Sequence, residues 1–174
     1  MDNRDEFIRE IALRIGSSLE IKESLRSAFE YLREHVPLDM LALFILDERL
    51  GAIRHIAHAF EDSAVPPNEI IPLPEGMAEK IAARNYSTPF VVDAGEDEIF
   101  RTLSPLVGLE GYTDLIVPLR IRGELLGGLA LRAREEERYS EEHAELLGRI
   151  GTPFAVVFAN TSPTRRCSVT RPYC

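Results

Sequence analysis

Few side chains in this 174-residue chain could do chemistry, and they are unevenly placed. The histidines are His35, His55, His58 and His143. His58 is the candidate for a haem or iron ligand, or for a polar contact to an organic molecule. His55 stands three residues before it. On a regular strand, where side chains alternate, the two face opposite sides and cannot share a metal. His35 belongs at a helix end, where a cation is favourable, and His143 in the exposed first turn of another helix. Carboxylates Asp93, Glu96, Asp97 and Glu98 crowd one stretch, and a solvated loop accounts for them more simply than a metal or amine site. Asp114 is different. It interrupts the apolar strand pattern of Tyr112-Thr113-Asp114-Leu115-Ile116. A half-buried carboxylate there is costly unless it finds a partner, and a local backbone group or a ligand meets that need equally well.

Catalysis needs a nucleophile or base with a partner that orients it, and no such set occurs. Both cysteines, Cys167 and Cys174, lie in the last 14 residues, Thr161 to Cys174. Two thiols on a mobile tail are not held in attack geometry. No catalytic residue and no metal ligand set is assigned, the chain is read as a non-enzyme, and the sequence requires no cofactor. A nucleotide-binding P-loop, Gly-x-x-x-x-Gly-Lys-Ser/Thr, is missing too.

Charge and composition narrow the partners. The net charge is −9, and setting aside the tail's three Arg leaves the body at −12. Such a surface repels phosphate backbones, which argues against direct nucleic-acid binding. No apolar run approaches the ~20 residues of a membrane span, and Met1 to Glu6 is polar rather than a secretory signal. A body without cysteine points to the cytoplasm. At 45% hydrophobic, one domain with a sizeable core is expected. The tail at 161–174 is basic, carries two prolines and reads as a disordered end or an expression artefact.

The elements that must position these residues follow from periodicity. Phe7, Ile8, Ile11 and Ile15 recur at helical spacing, and Leu25, Ala28, Phe29, Leu32 and Val36 form a second stripe. Ser17 or Ser18 would cap the second helix and Pro37 would end it. Residues 40–46, MLALFIL, form a strand covered on both faces. Asp47 to Gly51 turns it into a returning strand over 52–60, with Ile56, His58 and Phe60 on one face and His55, Ala57 and Ala59 on the other. A Pro-bearing loop over 61–69 leads to a short strand at 70–73 and a helix opened by Pro74-Glu75-Gly76. A strand at 90–92 follows, then a short helix stopped by Pro105. Two strands turn at Arg122-Gly123, and Ser140 caps one long closing helix. In it Leu147, Ile150, Phe154 and Val157 repeat at 3, 4, 3, as in a coiled-coil seam.

The helix before Asp39, the hairpin LALFILDERLGAIRHIAHAF, the start Pro74-Glu75-Gly76-Met77 and the half from Tyr112 to Asn160 together resemble a GAF domain. GAF domains are small-molecule sensor modules of bacterial signalling proteins. The resemblance covers about residues 19–160, leaving 1–18 as an N-terminal helix with a possible dimer contact. It implies an α/β (α+β) fold: a central antiparallel sheet of about five to six strands with helices on both faces. Pro153-Phe154-Ala155 with Asn160 is similar to the sensory domains of sigma-54-dependent transcriptional regulators, in which a AAA+ output domain, missing from this chain, follows. The implied function is non-catalytic sensing of a small-molecule effector in a cytoplasmic homodimer.

A cyclic-nucleotide pattern is matched only at Asp97-Glu98, and bilin attachment or sulfoxide reduction lacks an internal cysteine. The effector pocket is expected among Phe44, His58, Phe90, Val92, Phe100, Tyr112 and Asp114. The dimer helices are expected to meet through Phe7, Ile11 and Ile15 and through Leu147, Ile150, Phe154 and Val157. The alternative is a dimerisation scaffold without ligand, in which Phe44, Phe90, Phe100 and Met77 fill the pocket.

Overall fold

The computed structural model describes residues 3–60, 69–84, 86–93, 95–108, 110–134 and 138–161. Cys167, Cys174, most of the tail and most of the 61–69 loop therefore lie outside the described residues. Six strands run in the spatial order β3-β2-β1-β6-β5-β4, each antiparallel to its neighbours. They are β1 (Met40–Asp47), β2 (Ala52–Phe60), β3 (Glu69–Pro72), β4 (Phe90–Val91), β5 (Tyr112–Ile121) and β6 (Glu124–Arg134). The helices are α1 (Asn3–Ile15), α2 (Ile21–Leu32), α3 (Met77–Ala83), α4 (Glu98–Val107), α5 (Glu141–Leu146) and α6 (Gly151–Thr161).

Local chemistry sets the turns. Arg122 and Gly123 both have positive φ, 51° and 80°. That is the two-residue primed turn whose twist matches the flanking strands. Gly127 lets β6 approach β1: a Cβ there would stand 2.8 Å from the Ile45 Cα. Gly128 leaves room for the Phe44 ring, which a Cβ would meet at 2.8 Å. Gly127 thus permits the close strand approach, and Gly128 makes room for an aromatic ring beside the sheet.

One sheet face carries the main core. Helices α1, α2, α5 and α6 bury Phe7, Ile11, Ile15, Phe29, Leu147 and Ile150 against inward residues of the strands. Helices α3 and α4 cover the other face, with smaller clusters around Ile53, Met77, Ile99 and Leu103 and around Ala42, Ile116 and Ala130. The expected antiparallel sheet with helices on both faces is the observed one.

Several expectations need correction. The two stripes assigned to a dimer belong to this chain's own core. Ile11, Leu147 and Ile150 are fully buried, as are Phe7, Ile15 and Phe154 to within 4%, and Val157 packs partly against the same cluster. A 3-4-3 spacing states that one helix face is covered, and cannot say by what.

The closing helix is two helices, interrupted over 147–150 by tight-turn bonds such as Ile150 N–H to the Leu147 carbonyl, 3.2 Å. Pro153 therefore sits in the first turn of α6, where its missing N–H leaves no hydrogen bond broken. Pro105 lies inside α4, which runs on to a left-handed Gly108 cap. The N-cap of α2 is Glu20. Ser18 acts one step earlier, its hydroxyl accepting from the Glu20 N–H at 3.1 Å.

The correction with most consequence is in β2. Its pairing with β1 slips between Leu43 and Phe44: Leu43 faces Ala57, but Phe44 faces His55, so Ile56 is an extra residue. A bulge of one residue reverses the alternation beyond it. Ile56, Ala57 and Ala59 pack on the helical core, while Ile53, His55, His58 and Phe60 turn to the other face.

Candidate functional site

Between the sheet and helices α3 and α4 lies a cavity of about 390 Å³. That is within the range of small-molecule sites. Its walls are largely apolar: Phe44 and Ile116 from the sheet, Ile81 from α3, Ile99, Phe100 and Leu103 from α4. Phe90 packs on Phe100 at 5.6 Å between ring centres and stacks on Tyr86 at 4.6 Å. A scaffold without ligand would fill this space with Phe44, Phe90, Phe100 and Met77. Instead the aromatic rings stand as walls around an opening.

Two polar clusters interrupt the walls, and Glu69 and Tyr86 add single polar side chains. Asp114, 4% exposed, faces Arg132 across β5 and β6. Arg132 Nε donates to one carboxylate oxygen at 2.8 Å and Nη2 to the other at 3.0 Å, a two-point pair. Arg132 Nη1 donates onward to the carbonyls of Val107 and Gly108 at the end of α4, at 3.2 and 3.3 Å. Burial pushes the Asp114 carboxyl above its ordinary range, and the Arg132 guanidinium pulls it back. The pair neutralises itself and pins the end of α4 to the sheet.

The second polar group is a histidine pair. The bulge brings the His55 and His58 rings to 5.2 Å, and Phe60 lies edge-on to His58 at 4.5 Å. His55 Nε2 and His58 Nδ1 are buried without a hydrogen-bond partner. Burial, then the neighbouring His58 and Arg132, lowers the His55 pKa to about 4. Burial also lowers that of His58, with Glu69 acting in the opposite sense. Both rings are uncharged at neutral pH.

Of the seven expected pocket residues, Phe44, His58, Phe90, Phe100 and Asp114 line the cavity. Val92 packs in the adjoining cluster without reaching it. Tyr112 is 44% exposed at the far end of β5, with the Arg132 guanidinium 5.7 Å from its ring, and lies outside the cavity.

The remaining chemistry-bearing residues serve local structure. Asp97 caps α4, accepting from the N–H groups of Ile99 and Phe100, and pairs with Arg84. Asp93 accepts from the N–H groups of Gly95 and Glu96. His143 accepts from the Ser140 N–H at 3.0 Å, and His35 bonds the Tyr31 carbonyl. Among the described residues no group of three or more His, Cys, Asp or Glu could hold a metal ion, and no helix is long and apolar enough to cross a membrane.

Sequence reading missed Arg132 and set His55 on the wrong face. A plain hairpin about Arg122-Gly123 pairs Asp114 with Leu131. The register slips between Leu119 and Arg120, and this brings in Arg132. Both misses are bulges, and a bulge of ordinary residues leaves no local mark in sequence. A cation within one position of the partner expected for Asp114 was the available signal.

A GAF-domain family model matches residues 18–159. No curated protein matches the sequence. The chain is similar in structure to the GAF domain of an Acinetobacter phosphoenolpyruvate-protein phosphotransferase, with 22% identity and a TM-score of 0.67 over 99% of each chain. The corresponding domain from Coxiella burnetii gives 22% identity and 0.62, over 91% of this chain and 94% of that one. The free methionine-R-sulfoxide reductase of Neisseria meningitidis, in complex with its substrate, gives 16% and 0.63, over 97% and 95%. At these identities the likeness shows the fold alone.

Proposed function

The chain belongs to the GAF domain family, and from that premise we propose that it is a non-catalytic regulatory module that senses a small molecule. The observation that carries this reading is the apolar cavity of about 390 Å³ with a neutral histidine pair in its wall. Buried nitrogens without partners cost free energy that a bound group recovers. The place of the cavity supplies a route for the signal. It touches the end of α4, which Arg132 ties to the sheet, and the sheet's opposite face carries α2 and α6, on which α1 packs. A ligand that prefers one packing of these helices shifts their equilibrium by its difference in affinity, and by no more.

The finer assignment rests on resemblance. Pro153-Phe154-Ala155 with Asn160 supports a cytoplasmic sigma-54-type transcription regulator, working as a homodimer with its AAA+ output elsewhere. A reductase role like that of the Neisseria enzyme lacks support, because residues 1–166 contain no cysteine. The test is native mass spectrometry of the purified chain, followed by calorimetry of any released compound against His58→Ala and Asp114→Asn. His58→Ala is expected to bind it at least tenfold more weakly, and Asp114→Asn to weaken binding through the loosened Arg132 tie to α4. Unchanged affinity in both displaces the effector from this cavity, and a chain that neither co-purifies with nor binds any small molecule favours the scaffold.

A further inference from the structure

We infer that the cavity selects an uncharged, flat, largely apolar molecule bearing one hydroxyl, a phenol-like compound, whose oxygen is held between His55 and His58. This inference rests on the cavity being an effector site.

Charge comes first. Among the described residues the lining carries two carboxylates, Asp114 and Glu69, and one guanidinium, Arg132. Both Asp114 oxygens are taken by Arg132, and the remaining Arg132 nitrogen is taken by two α4 carbonyls. Each offsets the other's charge, so the pair offers no free counter-charge to an ionic ligand. Glu69 is exposed at the rim, where its charge opposes the entry of an anion and is screened by water. A carboxylate or ammonium group would enter the cavity with no unpaired buried counter-charge among the described residues, at a desolvation cost.

The histidine pair then sets the polar group. A neutral imidazole has one donor and one acceptor nitrogen, and two neighbouring rings can present one of each. A hydroxyl is matched to that pair, because it accepts from one ring and donates to the other. The ring centres, 5.2 Å apart, suit an intervening oxygen at about 2.8 Å from each nitrogen. Turning the inward nitrogens toward it needs only rotation about χ2, a broad torsion in histidine. Burial lowers the pKa of both rings, that of His55 to about 4, and so favours the uncharged pair. Flatness follows from the Phe44, Phe90 and Phe100 walls, whose faces and edges favour an aromatic partner.

The probes are 2-naphthol, 2-naphthoate and naphthalene, three molecules with one skeleton. The chain has no tryptophan, so naphthyl fluorescence reports binding without interference. The expected order is 2-naphthol first, naphthalene about tenfold weaker, and 2-naphthoate weaker than either. In His55→Leu/His58→Phe, 2-naphthol should fall to the affinity of naphthalene. Retained naphthalene binding shows that this variant is folded. Naphthoate binding as tightly as naphthol overturns the inference, as does a variant that still prefers naphthol. A different molecule recovered by native mass spectrometry, with all three probes silent, overturns the ligand class and leaves the sensor reading intact. No recovered molecule and no probe binding overturns both.

Discussion

Asp114 and Arg132 show why a single buried charge is never an isolated feature. Each is nearly inaccessible, at 5% and 12% side-chain exposure, and each satisfies the other by two hydrogen bonds. Removing one partner strands the other charge, and such losses run to about 3–5 kcal/mol. Arg132→Met is therefore expected to lower unfolding stability by about that amount in urea melts. The double change Asp114→Leu/Arg132→Met should recover most of the loss, because an apolar pair of similar volume replaces the ion pair. If the double variant is no more stable than Arg132→Met, the pair does more than satisfy itself.

His55 gives the second prediction at this scale. Its folded pKa is about 4, below the ~6.5 of an unfolded chain. Between these values the unfolded state binds the extra proton, so stability is full above about pH 6.5 and falls as pH drops toward 4. The loss is on the order of 1–2 kcal/mol after discounting for partial solvent access. Asp114, shifted upward, works in the opposite sense at the acid end. The informative measurement is thus the difference between the parent and His55→Phe over pH 4.5 to 7, about the interval that separates the two pKa values. The parent's stability relative to His55→Phe should fall on acidification, and a pH-independent difference would mean that His55 titrates normally. Asp114 was legible in the sequence because a carboxylate broke an apolar strand. Its partner was not, since register depends on a bulge that no residue type announces.

At the scale of elements, the chain's turns and close approaches carry the legible signals. Arg122-Gly123 between two apolar runs marked the β5–β6 hairpin, and the turn has the primed geometry that such a dipeptide serves. Arg122 holds φ at 51°, a region that an ordinary side chain enters at a cost. Arg122→Asn should therefore raise stability by roughly 0.5–1 kcal/mol, read from the midpoint of a urea melt at unchanged slope. A loss would show that the Arg122 side chain contributes more than the backbone conformation costs. The break between α5 and α6 was less legible, because Leu147, Ile150 and Phe154 keep helical spacing straight through it. Apolar periodicity reports the covered face, and a tight turn within it can preserve that face. Gly151 marks the place instead: a Cβ there would stand 2.9 Å from the Pro118 carbonyl oxygen, so α6 starts where it lies closest to β5.

For the whole molecule, the order of elements and the separation of a helical core from a cavity face were legible, because each strand and helix carried its own period. What covers an apolar stripe was not, since a core and an interface bury the same residues for the same physical reason. Ile11 and Leu147 lie in one cluster within a single chain. A homodimer, if formed, must then use other surface, and the exposed Leu13 on α1 and Val156 on α6 are the apolar residues those helices leave uncovered. The two arrangements differ in how stability depends on concentration. An interface stripe makes the melting temperature rise with protein concentration, by mass action, and a core stripe does not. Ile11→Ala is expected to cost about 2–5 kcal/mol, as for other buried large-to-small changes. That loss should be the same at low and high micromolar protein. Leu13→Ser and Val156→Ser should leave the unfolding stability of the monomer within about 0.5 kcal/mol of the parent, as surface changes do. Scanning calorimetry across a hundredfold range of concentration, with sedimentation of the same samples, separates the cases. If the Ile11→Ala penalty vanishes on dilution, the stripe belongs to an interface between copies and the single-chain core assigned to it is wrong.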